Sequence, residues 1–340
     1  MPTVAIASPL EAEYVARIRA VDPALEVLYV PDLLPPTRYV ADHKGAPMQR
    51  DPGQQARWRD MLGRAEILWD LPAAADVPFC TRLRWIQTTS SGVGQSVHRL
   101  GLPAEVVVTT ARGVHAESLA EFVFMALLIH WRDLNHLRLE QHAHRWNRYC
   151  GEGMAGRTMV LLGAGDVARG CARVARVFGL YTIAVARTAA KRRTHNDLFD
   201  EIVPTASLHE VLGRADAVVV AVPHTPLTEG LMDAAAFAAM HRGAVFINIA
   251  RGQVVDEDAL IAALASGHLG FAALDVVREE PLAETSPLWD LPNVLISPHS
   301  ASTVLTENAA ITDIFVHNIR LWLDGRQAEM RNRLDRHLMY

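Results

Sequence analysis

Residues 158–178 read TMVLLGAGDVARGCARVARVF, and few stretches restrict a fold more tightly. A run of apolar residues leads straight into Gly163-Ala164-Gly165-Asp166-Val167-Ala168, after which apolar residues fall at 167, 171, 174, 175 and 178. The first pattern suits a strand buried on both faces, and the second suits an amphipathic helix. Between them lies a GxGxxA turn. Gly163 permits the tight bend, Gly165 lets backbone approach a pyrophosphate, and Ala168 is small enough for strand and helix to pack closely. Amides at the helix N-terminus would then hold the phosphates. Taken alone, the spacing also fits a plain strand-to-helix turn, so its surroundings decide.

Those surroundings repeat one rhythm. Short apolar runs at 3–7, 25–30, 66–69, 85–88 and 106–110 alternate with helical patterns, and a second series follows at 158–162, 182–186, 217–222, 244–250, 271–276 and 294–298. Strands separated by helices predict an α/β fold with parallel sheets, and six in the second series are enough for a doubly wound nucleotide-binding half. A chain of 340 residues exceeds one ordinary core and predicts two domains with a cleft. Residues 35–53, rich in Pro, Gly and charge, read as a loop. One long helix is expected at 117–144, carrying the apolar run FVFMALLI and so buried or facing another subunit. A last helix is expected over 302–324 with Gly325 as its stop.

Composition narrows the partners. The formal charge of −5 is modest and no basic face is apparent, which argues against nucleic acid or an anionic membrane. The opening MPTVAIASPL reads as a strand and not as a secretory signal, and the longest apolar run is too short to span a bilayer, so a cytoplasmic protein is expected. Cys80, Cys150 and Cys171 have no metal or redox spacing and suit reduced thiols. His142 and His144 lie two apart and do not share a helical face, so no metal is expected.

The kind of dinucleotide depends on the end of the second nucleotide-domain strand. NAD-specific versions of the fold place an acidic residue there for the ribose hydroxyls. Here Ala186 is followed by Arg187 and Thr188, no carboxylate appears before Asp197, and Lys191, Arg192 and Arg193 crowd the segment. Guanidinium groups can grip a 2′-phosphate through charge-assisted hydrogen bonds, so the segment favours NADP. The alternative is a solvated basic loop that tolerates either cofactor.

Three residues sit just past strands in the second series: Arg251 in NIARGQVVDEDAL, Glu280 in ALDVVREEPL and His299 in LPNVLISPHSA. The carboxyl ends of parallel strands are where open α/β sheets form ligand crevices. Hydride arriving at a carbonyl carbon requires a proton on the oxygen, and histidine suits that task near neutrality. His299 is therefore the candidate acid and base, Glu280 the carboxylate that orients it, and Arg251 the guanidinium that orients substrate. Each has a bland reading: a loop histidine among 15 in the chain, a solvated charge beside Glu279, and a surface pair with Asp256. Their joint placement favours chemistry.

In order along the chain, WIQTTSSGVG, GVHAESLAEFVFMALL, GAGDVA, AVPHTPLTEGLMD, NIARGQVVDEDAL, ALDVVREEPL and SPLWDLPNVLISPHSA resemble the motifs of the D-isomer-specific 2-hydroxyacid dehydrogenases, which depend on NAD or NADP. The resemblance implies catalytic roles for Arg251, Glu280 and His299. It implies that Asp275 and backbone near Ala250 hold the nicotinamide amide, that Val222 and Pro223 flank the adenosine, and that Gly92, Val93 and Gly94, following Ser91, bind the substrate carboxylate. It implies a substrate domain of residues 1–104 plus 300–340 with a dinucleotide domain, 105–299, inserted, and a homodimer through the helix at 117–145. Two Rossmann-like or flavodoxin-like domains with an active-site cleft between them are expected. Three departures stand out: Ala168 replaces the third glycine, Ala186-Arg187 replaces the ribose carboxylate, and Gln95 stands where many relatives are acidic. The second points to the glyoxylate and hydroxypyruvate reductase branch, and Glu280, where formate dehydrogenases carry glutamine, argues against formate oxidation. The expected activity is reduction of a small 2-keto acid to the D-2-hydroxy acid with NADPH. Trp146 and Trp289 would border the substrate pocket or, more commonly for tryptophan, lie in the core. Two alternatives are a dinucleotide-sensing scaffold resembling the C-terminal-binding corepressors and an oxidative dehydrogenase of an unusual donor such as a phosphorus oxyanion.

Overall fold

The computed structural model describes residues 2–187 and 198–338. They divide into two compact units, Met1–Val114 with Thr303–Tyr340, and His115–Ser302.

The first unit begins with β1 (Thr3–Ile6), α1 (Ala12–Arg19), β2 (Glu26–Leu28), α2 (Pro52–Arg64), β3 (Ile67–Trp69), β4 (Trp85–Gln87), α3 (Gly94–Arg99) and β5 (Val107–Thr109). Its five strands are parallel in the order β2-β1-β3-β4-β5. Strands β1, β3 and β4 are buried along their whole length, which is why their sequences are continuously apolar instead of alternating. The expected loop at 35–53 stops at Asp51. Its carboxylate accepts from the Gln54 amide while the Gln54 side chain accepts from the Asp51 amide, so a capping box starts α2. Strand β5 pairs with β4, so the first unit extends to residue 114 and not to 104.

The second unit opens with α4 (Ala116–Trp131) and α5 (Leu134–His142) where the sequence suggested one helix. Asp133 breaks it, with φ of 48° and a side chain that caps α5 by accepting from the His136 amide at 3.1 Å. The apolar stripe ends at Trp131, and α5 buries no residue that would hold the two collinear. Then come β6 (Thr158–Leu162), α6 (Asp166–Val177), β7 (Tyr181–Ala186), β8 (Glu201–Pro204), α7 (Leu208–Leu212), β9 (Ala217–Val220), α8 (Ala234–Ala239), β10 (Val245–Asn248), α9 (Glu257–Ala265), β11 (Phe271–Leu274) and β12 (Val294–Ile296). All seven strands are parallel, ordered β12-β11-β10-β9-β6-β7-β8. The strand order reverses beside β6, so the crevice rule points to the carboxyl ends of β6 and β9. Strand β8 was not expected: it is a short edge strand with Ile202 as its one fully buried residue, too little for an apolar signal.

The chain then returns to the first unit through α10 (Glu307–Leu323), five residues later than the expected start, with Gly325 beyond its end at φ 74°. Ile311, Phe315 and Ile319 are fully buried, each contributing about 1.5–3 kcal/mol by transfer from water. Phe315 lies 5.4 Å from Trp69 and 5.1 Å from Trp85, ring to ring. Beyond it, Arg333 bridges Thr109 in antiparallel fashion on the free edge of β5. Among the described residues, no helix is long and apolar enough to cross a membrane.

Candidate active site

The glycine turn has the geometry a dinucleotide requires. Gly163 donates its amide to Val185 at 2.8 Å and takes φ of 113°; a Cβ there would come within 2.8 Å of the Ala221 oxygen and 3.3 Å of Val222. Only glycine permits that approach. At Gly165, the N-cap of α6, the space a Cβ would fill is empty, and Ala168 is fully buried against the sheet. This leaves room for a pyrophosphate at the positive end of a three-turn helix. Ala164 and Val167 are partly buried beside the turn, and Asp166 opens α6 with Arg169 3.9 Å away. Val222 and Pro223 are half-buried after β9, and the Thr228 hydroxyl donates to the Pro223 oxygen at 2.7 Å. Arg187 is exposed just past Ala186. Thr188, Lys191, Arg192, Arg193 and Asp197 lie outside the described residues.

Arg251, Glu280 and His299 follow three neighbouring strands, β10, β11 and β12. At the end of β10, buried Asn248 accepts from the Ala250 amide and donates to the Arg251 oxygen, both at 3.1 Å, which shapes the turn. Gly252 makes the next contact possible, because a Cβ there would lie 2.0 Å from the Val277 carbonyl. Held in this way, the Arg251 side chain is largely shielded, and its Nη1 donates to the Ala250 oxygen at 2.5 Å. Burial pushes its pKa down, against the upward pull of Glu280 and Asp275, and it remains a cation. The suggested pair with Asp256 does not form; Asp256 caps α9 by accepting from the Ala259 amide.

Asp275, at the end of β11, is 3 % exposed and organises the segment that bears His299. One oxygen accepts from the Ser297 hydroxyl and from the Ser300 and Ala301 amides, each at 2.8 Å. Its main-chain oxygen accepts from the His299 amide, also at 2.8 Å. These bonds sustain φ of 54° at His299, a conformation uncommon outside glycine and costly unless its surroundings enforce it. The ring then meets Glu280, with Nδ1 2.7 Å from Oε2, while the other Glu280 oxygen accepts from the Val277 amide at 3.4 Å. Partial burial pushes the Glu280 pKa up, but the His299 hydrogen bond and charge, the Val277 amide and Arg251 outweigh it and hold the carboxyl below its usual range. Asn248, Gly252 and Ser297 escaped the sequence reading; their one signal is position, immediately after apolar strands.

In the first unit, the Thr88 hydroxyl donates to the Ser90 oxygen at 2.7 Å, and the same oxygen accepts from the Ala111 amide at 3.2 Å. Ser91 and Gly92 are exposed, whereas Val93 and Gly94 are buried at the start of α3. Trp146 is 98 % exposed and Trp289 50 %, so neither belongs to the core. All three cysteines are free, and burial raises Cys80 to about 11 and Cys171 to about 12. Among the described residues, no three side chains form a metal-binding group.

A doubly wound parallel sheet, a glycine turn opening onto a helix, and a histidine–carboxylate pair beside a shielded arginine define a dinucleotide-binding protein with acid–base groups at its strand ends. Residues 124–301 match the family model for D-isomer specific 2-hydroxyacid dehydrogenase, NAD binding domain, and the chain belongs to that family. It is 32% identical over 291 residues to D-3-phosphoglycerate dehydrogenase of Mycobacterium leprae (strain TN), a match that covers 80% of this chain and 53% of the relative, so the chain spans about half the length of that protein. A D-isomer specific 2-hydroxyacid dehydrogenase family protein from Aeromonas salmonicida superposes with a TM-score of 0.83 at 28% identity, covering 98% of this chain and 99% of that one. The NADPH-dependent glyoxylate/hydroxypyruvate reductase of Sinorhizobium meliloti, solved with NADP and sulfate, superposes with a TM-score of 0.80 at 25% identity over 100% of both chains.

Proposed function

We propose that this protein reduces a small 2-keto acid, of the glyoxylate or hydroxypyruvate kind, to the D-2-hydroxy acid with NADPH in preference to NADH. The observation that carries the reading is the 2.7 Å contact between His299 and Glu280, on strand ends adjacent to that of Arg251. A bound nicotinamide supplies the hydride. His299 gives the proton to the carbonyl oxygen from Nε2, the ring nitrogen that Glu280 leaves free, and Glu280 fixes the ring's tautomer and orientation. Arg251 orients the keto acid and stabilises charge developing on its oxygen, more strongly for being withdrawn from water. Gly92, Val93 and Gly94 bind the substrate carboxylate through backbone amides, in a substrate domain formed by the first unit. Ala250 and Asp275 flank the nicotinamide amide, and Val222 and Pro223 flank the adenosine.

Two further assignments complete the reading. Arg187 and Thr188 recognise the 2′-phosphate, in keeping with the absence of a carboxylate after Ala186 and with the NADPH dependence in the name of the Sinorhizobium meliloti relative. The working form is a cytoplasmic homodimer joined through α4 and α5, which expose Met125, Leu128, Leu137 and Leu139.

Steady-state oxidation of NADPH and NADH with glyoxylate, hydroxypyruvate, pyruvate and phenylpyruvate tests the proposal. Turnover is expected with NADPH well above NADH, and on glyoxylate and hydroxypyruvate before phenylpyruvate. Arg187→Asp should reverse the cofactor order; an unchanged order would reject the role given to Arg187, and no turnover with any pair would reject the substrate class.

A further inference from the structure

The excursion between β2 and α2 contains none of the residues assigned to the reaction, yet it is extensively hydrogen-bonded. Its centre is Asp42, whose side chain is fully buried and accepts from the Arg38 amide, from Arg38 Nε and Nη2, and from the Gly45 amide, at 2.8–3.0 Å. The Arg38 hydrogen bonds, against burial, hold the Asp42 carboxyl far below the usual range, so it is ionised and neutralises Arg38. A further backbone bond, Ala46 to Pro36 at 2.8 Å, closes the turn. The result is a preformed concavity of about 360 Å³ lined by Pro35, Arg38, Lys44, Gly45, Met48 and Arg50.

Its charge is unbalanced. Arg50 is half-buried, with its guanidinium 3.9 Å from the Trp58 ring and its Nε and Nη2 both donating to the Leu33 oxygen, at 2.9 and 2.7 Å. Nη1 has no protein acceptor among the described residues. Burial pushes the Arg50 pKa down against the upward pull of Asp76, whose carboxylate accepts from the Trp58 indole at 3.0 Å. Exposed Lys44 likewise has no carboxylate within ion-pair distance among the described residues. Two cations therefore line one pocket, neither in direct contact with a carboxylate among the described residues and one of them partly withdrawn from water, an arrangement that an entering anion would stabilise. A dianion balances both, and tetrahedral phosphoryl oxygens match an ammonium together with one edge of a guanidinium.

We infer that the pocket between β2 and α2 binds a phosphoryl dianion through Lys44 and Arg50, two residues with no part in the proposed reaction. The test is calorimetric titration of the NADP-saturated protein, so that the cofactor's own phosphate site is filled, at low ionic strength, where exposed charges are least screened. Inorganic phosphate and glycerol 2-phosphate are the two titrants; tighter binding of the second identifies a phosphate ester as the natural occupant, and equal binding identifies the phosphoryl group alone. Lys44→Glu should weaken both by about tenfold or more while leaving keto-acid turnover and melting temperature unchanged, and Arg50→Gln should weaken them further. Unchanged isotherms in Lys44→Glu, or no saturable heat from the parent protein up to about 10 mM titrant, would overturn the assignment. Lys44 is exposed and makes no hydrogen bond or ion pair among the described residues, so that variant decides the matter even where Arg50→Gln folds poorly.

Discussion

The two sheets follow the same parallel rule but secure their carboxyl edges differently. In the second unit, dedicated side chains tie each loop: Asn248 holds the turn before Arg251, Asp275 holds the segment around His299, and Glu280 holds the ring itself. In the first unit the loop after β4 carries fewer such ties: the Thr88 hydroxyl and the Ala111 amide donate to the Ser90 oxygen, the Thr89 hydroxyl donates to the Asp70 carboxylate at 3.1 Å, and Ser91 and Gly92 are exposed. The contrast follows from what each edge presents. Backbone amides are available wherever the chain turns, whereas an imidazole and a guanidinium serve only when their orientation is fixed, and fixing them requires buried acceptors.

The comparison predicts that losses should be steep in the second unit and shallow in the first. His299→Ala removes the proposed proton donor and should lower kcat by roughly 10²–10⁴, with cofactor affinity unaltered, as measured by turnover and by fluorescence titration of NADPH. Full turnover in that variant would remove His299 from the mechanism. Glu280→Gln keeps the shape but not the charge, and kcat should fall by about 10². Its pH profile is sharper still. The Glu280 carboxyl is held below its usual range, so it is ionised above the ordinary carboxylate value and loses its charge as pH falls through the lowered one. The parent enzyme should therefore show an acid limb in kcat lying below the ordinary glutamate range, and Glu280→Gln should lack that limb; an unchanged limb would assign it to another group.

Much of this was legible in the sequence, and the failures have physical causes. The buried parallel strands announce themselves because water is absent from both faces, and the glycine turn does so because Gly163, which answers a steric demand at Ala221, stands at a fixed spacing from Gly165 and Ala168. The strand-end placement of Arg251, Glu280 and His299 was legible because each follows an apolar strand. Illegible were β8, with a single buried residue at a sheet edge, and the break between α4 and α5, which rests on one left-handed aspartate. The placement of β5 was missed because a strand's sequence does not say which sheet it joins. The anchoring by Asp275 was hidden for a similar reason: its three donors come from residues 297–301, more than twenty positions away. A contact of that kind appears only once β11 and β12 are side by side.

The smallest expected effects separate anchoring from chemistry. Asp275→Ala leaves the Ser300 and Ala301 amides and the Ser297 hydroxyl without their shared acceptor, a loss of roughly 2–5 kcal/mol that thermal melting should register. Because the imidazole itself remains, kcat should fall by about thirtyfold, less than for His299→Ala. Thr88→Val makes the matching change in the first unit and removes the hydroxyl that donates to the Ser90 oxygen. That oxygen still accepts from the Ala111 amide, so about 0.5–1.5 kcal/mol should be lost. With Gly92, Val93 and Gly94 offering only amides, the consequence should be a severalfold rise in keto-acid KM at constant kcat. A fall in kcat as large as that of Asp275→Ala would mean that the first edge is as rigidly specified as the second, and that the contrast between a densely anchored edge and a lightly anchored one is wrong.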